Sequence, residues 1–159
     1  MASQNTKNAD DLSVAPLCAD DLDAVIAVDK ALNGGSRRGF FEKRLAAALE
    51  GPKDFVYVSL RDEGRLIGYA MARLVEGEFG KLGARAALDA IGVDPEYQGR
   101  SAGRKLQTAV EDVLRHKGVS ELTSQVDWQD HRLLGFFAGA GFELAPQIVL
   151  IRSTAQPLW

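Results

Sequence analysis

Cysteine, histidine and long apolar runs are all scarce in this chain of 159 residues. The single cysteine, Cys18, excludes an internal disulfide and any cysteine cluster for a metal. No histidine stands near it in sequence, which favours a small packing side chain over a nucleophile. The two histidines, His116 and His131, lack metal-ligand spacing, so no metal is expected. No apolar run approaches the roughly 20 residues that cross a bilayer, and the opening MASQNTKNADD lacks the basic-then-apolar order of a signal peptide. A soluble protein of the reducing cytoplasm is expected. Cationic charge is not in excess either, since 19 Lys and Arg against 22 Asp and Glu give a formal net charge of −3. That balance offers no broad footprint for nucleic acid or a membrane surface, so small molecules or another protein are the expected partners.

What is present is enough apolar sequence, 46%, for one core without covalent staples. Residues 1–11 are polar and aperiodic and read as an N-terminal tail, with a single domain over 12–159. LSVAPL alternates like a short strand, and ADDLDAVIAVDKALNGG has the acidic start and glycine end of a helix. A second helix fits SRRGFFEKRLAAALEG, with Ser36 placed as its N-cap. DFVYVSLRDEGRLIGYAMARLV reads as two strands joined at DEGR, a hairpin signal. AALDAIGV is a strand buried at the centre of a sheet, and the segment from Gly103 to about His116 is a helix with Leu106, Val110, Val113 and Leu114 on one face. SELTSQVDW is a further strand, DHRLLGFFAGAG a short helix opened by Asp130, and FELA with QIVLIRS a closing hairpin.

Between the central strand and the long helix lies VDPEYQGRSAGRKL. A strand that ends in a tight turn and passes at once into a helix N-terminus gathers backbone amides with a partial positive charge behind them, an arrangement suited to phosphate. Gly99 and Gly103 allow close approach, and Arg100, Arg104 and Lys105 add cations. By spacing alone, glycines and arginines that merely cap a surface helix fit equally well. The segment is neither a Walker A loop nor the three-glycine dinucleotide fingerprint.

Together with DWQDHRLLGFFAGAGFE and its Gly141 and Phe142, this turn resembles the GCN5-related N-acetyltransferases (GNAT), over roughly Leu12 to Arg152 in element order. The family signature [QR]xxGx[GA] is matched by Gln98, Gly99, Arg100, Ser101, Ala102 and Gly103. The resemblance implies an α/β fold with a mixed, mostly antiparallel central sheet of about six to seven strands, flanked by about four helices and splayed between the fourth and fifth strands. It implies acetyl-CoA as acyl donor, with amides from about Arg100 to Arg104 on the pyrophosphate. Ile91, Gly92 and Val93 would bond the pantetheine arm, and an amide near Ile91 would meet the thioester carbonyl. Ser101 stands where the family usually has a glycine, and a helical Ser101 adding a phosphate contact is expected in preference to one with φ > 0.

An amine with a lysine-like pKa of about 10.4 is mostly protonated at neutral pH, so a carboxylate near the thioester is expected as base. Asp89, on the fourth strand with the side-chain parity of Ile91 and Val93, is the first choice, with pairing to an arginine such as Arg85 as its structural alternative. Glu78, in the loop before that strand, is the second. Phe137 occupies the place of the family's thiolate-protonating tyrosine and has no proton to give, which leaves a water, Tyr97, Tyr69 or unassisted departure. Asp130 stands where the family often has asparagine and is read as a helix cap. By that resemblance Arg37 and Arg38 lie in the helix-helix region that commonly shapes the acceptor side, where they would favour an acceptor with an anionic group; a solvated helix start is the preferred reading of them. Dimerisation is common in the family, and no stripe of this chain marks an interface. The implied activity is acetyl transfer to a primary amine of a protein or a small molecule by direct attack in a ternary complex. The rivals are a non-catalytic acyl-CoA-binding module and, on the turn alone, a nucleotide-phosphate binder.

Overall fold

The computed structural model describes residues 9–155. The chain divides into two compact units, Met1–Gln125 and Val126–Trp159. Of the tail expected over residues 1–11, the first eight lie outside the described residues, while Ala9–Asp11 form a 3-10 turn. The first unit carries β1 (Ser13–Pro16), α1 (Leu22–Asn33), α2 (Arg38–Glu50), β2 (Phe55–Asp62), β3 (Arg65–Glu76), β4 (Ala84–Val93), α3 (Ala102–His116) and β5 (Leu122–Ser124). The second carries α4 (His131–Gly139).

The strands form one sheet in the order β1-β2-β3-β4-β5, antiparallel throughout except for the parallel pair β4 and β5. The hairpin at DEGR turns on Glu63 and Gly64, both at positive φ, which matches the twist of the flanking strands. Alternation sorts the side chains of the sheet. Tyr57, Tyr69, Met71 and Ala90 join Val25, Ile26, Phe41 and Leu45 of α1 and α2 in one buried cluster. Leu60 and Ala70 alternate with them, and Leu106 of α3 lies within 3.1 Å of where a Cβ on Gly68 would stand. The sheet is therefore covered on both faces, and its middle strands read as near-continuous apolar runs.

Among the described residues five strands stand where about six to seven were expected. The missing pair is the closing hairpin, because FELA and QIVLIRS form no strand. Ile148, Val149, Leu150 and Ile151 are exposed there, and β propensity is expressed only against neighbouring strands and a packed face. SELTSQVDW is likewise shortened to Leu122–Ser124. Ser36 does not cap α2, whose first residue follows Arg37, whereas Asp130 caps α4 by accepting from the Leu133 amide at 3.0 Å.

Candidate functional site

The ladder between β4 and β5 runs only from Ala86 to Leu88, opposite Leu122 to Ser124. The Ser124 hydroxyl donates to the Leu88 carbonyl at 3.1 Å and marks its end. Beyond it β4 continues to Val93, and among the described residues no strand pairs with this stretch on that side. Ile91, Gly92 and Val93 thus lie along an open strand edge, the arrangement that an extended ligand can extend by main-chain hydrogen bonds. Gly92 is required there for packing. A Cβ would come within 2.9 Å of Leu32 Cδ1 and of the ring of Tyr69, which is itself fully buried.

The turn continues from this edge. Asp94 donates its amide to the Ile67 carbonyl at 2.8 Å, and its carboxylate accepts from the Glu96 amide at 3.0 Å, starting a 3-10 turn over Pro95–Tyr97. Gln98 Nε2 reaches back to the Val93 carbonyl at 3.1 Å, so the signature glutamine fixes the turn to the end of its strand. Gly99 has φ +76° and open space where a Cβ would stand. Ala102, Gly103 and Arg104 follow as the first turn of α3, ahead of the bond that Lys105 donates to the Ser101 carbonyl at 3.0 Å. Their amides carry the positive end of a helix of 15 residues.

Ser101 departs from expectation. It has φ 60° and ψ 14° and precedes the helix in the left-handed conformation, so the expected helical Ser101 is not found. The turn needs two left-handed residues, Gly99 and Ser101, to reverse between strand and helix, and serine tolerates the second at a cost of about 1–2 kcal/mol. Lys105 also differs, since its ammonium donates to the Ala9 carbonyl at 2.7 Å. Arg100 lies over the ring of Tyr97, 5.7 Å from its centroid.

Asp89 sits at a bulge in β4. Met71 pairs with Ala90 and Ala72 with Leu88, so Asp89 has no partner across β3. Its carboxylate accepts from Arg73 Nε at 3.0 and 3.2 Å, and Arg44 of α2 stands 3.8 Å away. The arginine expected to pair with it, Arg85, instead meets Glu121 and the Glu78 carbonyl. The Tyr57 hydroxyl feels the charges of Arg44, Asp89 and Arg73, yet it is buried without a hydrogen-bond partner. Burial pushes that phenol up to about 12, helped by Asp89 and opposed by the two arginines.

Within the first unit, not all expected site residues are brought to this corner. Glu78 is exposed in a 3-10 turn before β4, beside Arg85. Arg85 is six residues from Ile91 along the strand, roughly 20 Å at strand spacing. The Tyr97 hydroxyl donates to Asp62 at 2.6 Å. Tyr69 donates to Asp29 at 3.0 Å deep in the core. Phe137 belongs to the second unit, buried against Phe136 and Phe142 with ring centroids 5.4 and 4.7 Å away. Arg37 and Arg38 are committed to Asp29 and Asp23. Arg44, Arg73 and Tyr57 went unnoticed in the sequence. The available signal was Arg73, which shares the core-facing parity of Tyr69 and Met71.

The chain belongs to the acetyltransferase (GNAT) family, whose profile matches residues 26–142. A mycothiol acetyltransferase of Kocuria rhizophila is 30% identical over 116 residues, 72% of this chain and 38% of that protein. An aminoglycoside N(6′)-acetyltransferase type 1 of Stenotrophomonas maltophilia is 28% identical over 120 residues, 72% of this chain and 76% of that protein. The chain spans about two fifths of the length of the mycothiol acetyltransferases it matches, 38% and 41%. Among solved structures, the aminoglycoside N-acetyltransferase AAC(6′)-Iy in complex with CoA superposes with a TM-score of 0.76 at 18% identity, over 90% of this chain and 95% of that one. That likeness establishes the fold. Among the described residues no helix is long and apolar enough to cross a membrane, and no His, Cys, Asp and Glu group could hold a metal.

Proposed function

We propose that this chain is an acetyl-CoA-dependent N-acetyltransferase acting on a small-molecule primary amine by direct attack in a ternary complex. The observation that carries the reading is the continuity of an open β4 edge with a turn of left-handed residues and the N-terminus of α3. The amides of Ala102, Gly103 and Arg104 suit a pyrophosphate, and Ile91, Gly92 and Val93 suit an extended amide-bearing arm. Acetyl-CoA supplies the activated acyl group when bound. Asp89, two residues before that edge, takes the proton from the incoming amine, directly or through water. Ile91 donates its amide to the carbonyl oxygen as charge builds there. A thiol of pKa about 8.5 departs without a dedicated acid, so Phe137 in the tyrosine's place is tolerated. No covalent enzyme intermediate is needed. The small-molecule acceptors in the names of the mycothiol and aminoglycoside relatives support that acceptor class.

Calorimetric titration with acetyl-CoA, CoA and ATP tests the cradle. CoA binding that disappears in Gly103→Glu, followed by acetylation of amines, is the expected result. CoA binding without turnover on any amine would leave a non-catalytic acyl-CoA module, and competition by ATP alone would reassign the turn.

A further inference from the structure

The polar corner around Asp89 has more donors than acceptors. Among the described residues, Asp89 is the one carboxylate paired with these arginines; it receives one nitrogen of Arg73 and the nearby charge of Arg44, so two guanidiniums share it. Both are about one-third exposed, at 37% and 32% of the side chain, while Asp89 is 12% exposed. Among the described residues the terminal nitrogens of Arg73 donate no hydrogen bond, and Arg44 has only the 3.8 Å ion pair and the ring of Phe40. The Tyr57 hydroxyl, which feels the charge of both arginines, is buried with no partner, in a residue only 8% exposed. A buried hydroxyl without a partner calls for an explanation, and two converging cations with one anion leave a positive excess. That excess is met by an oxyanion entering between the guanidiniums, whose planar forks match a carboxylate.

Resting on the acetyltransferase reading, we propose that the acceptor is an amine carrying its own carboxylate close to the nitrogen, as a free amino acid does. Its nitrogen stands against Asp89 and its carboxylate between Arg44 and Arg73. In an α-amino acid the two groups are separated by one carbon, so a corner holding one carboxylate and two guanidiniums can receive both at once. A polycationic acceptor would meet the excess positive charge instead, which separates this chain from the aminoglycoside relative.

The test is steady-state acetylation of a panel of free amino acids, the same amino acids as carboxamides, and an aminoglycoside. Wild type is compared with Arg73→Gln, Arg44→Gln and Arg73→Lys. The expected result is a kcat/KM at least about tenfold higher for the free acid than for its amide, the scale of one charge-assisted hydrogen bond. In Arg73→Gln that preference collapses through a raised KM for the acid rather than a lowered kcat, and Arg73→Lys restores part of it. Equal rates for acid and amide in wild type, a preference that survives both glutamine variants, or the aminoglycoside as best acceptor would overturn the proposal. A second measurement stands apart from turnover: calorimetric titration of the CoA-loaded protein with an N-acetyl amino acid. Binding lost in Arg73→Gln supports the anion site, and absence of binding in wild type overturns it. Failure to bind CoA or acetylate any amine sinks the acetyltransferase reading, and the same titration on the unloaded protein then decides the anion site by itself.

Discussion

Asp29 and Asp89 have matching surroundings, since each carboxylate meets an arginine and lies near a tyrosine from the sheet, yet one centre is closed and the other open. Asp29 is fully buried and accepts from Asn33 at 2.9 Å, from Arg37 through both Nε and a terminal nitrogen, and from the Tyr69 hydroxyl at 3.0 Å. Burial alone would raise its carboxyl, but the hydrogen bonds and charge of Arg37, with Tyr69 and Asn33, hold it below the ordinary carboxylate range. One cation meets one anion there, and the tyrosine is satisfied. At Asp89 two cations meet one anion, the Tyr57 hydroxyl has no partner, and the strand bulges. A balanced centre holds α1 against the sheet. An unbalanced one leaves donors unpaired among the described residues, and the proposed acceptor would use them.

The sharpest way to break this contrast is to remove each carboxylate in turn. Asp29→Ala leaves the Tyr69 hydroxyl orphaned in the core and strips Arg37 of its partner, so a loss of about 3–5 kcal/mol is expected in urea unfolding. Asp89→Ala leaves two guanidiniums that water can reach, and its cost is about 1 kcal/mol or less. Activity reverses the order, because loss of the base should lower kcat/KM by about 100-fold or more while the fold persists. Equal destabilisation by the two variants would erase the distinction.

The closed centre also sets an acid limit. Because the folded pKa of Asp29 is depressed, its contribution is present above the unfolded carboxylate value of about 3.9 and is lost as pH falls through the folded value. Asp21 works in the same direction: burial opposes ionisation, but Arg61 at 2.7 Å and the Cys18 amide and thiol prevail. Urea midpoints measured from pH 6 downward should fall steeply only below about pH 4. Asp29→Asn should flatten that fall, and an unchanged slope would remove Asp29 from the account.

The tyrosines give a subtler version of the same contrast. Tyr69→Phe removes a hydrogen bond to a charged group and should cost about 1–2 kcal/mol. Tyr57→Phe removes a hydroxyl that has no partner, so stability should stay level or rise.

The turn, the signature and the central strand were legible because each is local: strand ending, glycine spacing and helical periodicity lie within one stretch of chain. The Asp89 centre was half legible. Strand parity put its carboxylate with Ile91 and Val93, but the bulge turns it to the face of Ala90, Met71 and Arg73; its partners come from α2, β2 and β3, so neither Arg44 nor Tyr57 carried a local sign. Arg85 was a reasonable guess by proximity along the strand, whereas the bulge and the β3 pairing chose Arg73 instead. The closing hairpin was read from β-branched composition, which says what a strand would contain and nothing about whether a partner is available.

Ser101 shows the same limit at one residue, and its test has the smallest expected effect. Gly99 and Ser101 both turn left-handed, one without a Cβ and one with it. The serine costs about 1–2 kcal/mol in the folded chain. Glycine would remove that cost but add about 0.5–1 kcal/mol of unfolded-state entropy. The two effects partly offset, so Ser101→Gly should stabilise by no more than about 1.5 kcal/mol in urea unfolding. Ser101→Ala keeps the Cβ and removes only the hydroxyl, which makes no cap hydrogen bond in the structure. If the alanine variant binds CoA as wild type does while the glycine variant binds more tightly, the backbone angle is what Ser101 contributes. Weaker binding by alanine, with glycine no better than wild type, would instead assign the contribution to the hydroxyl.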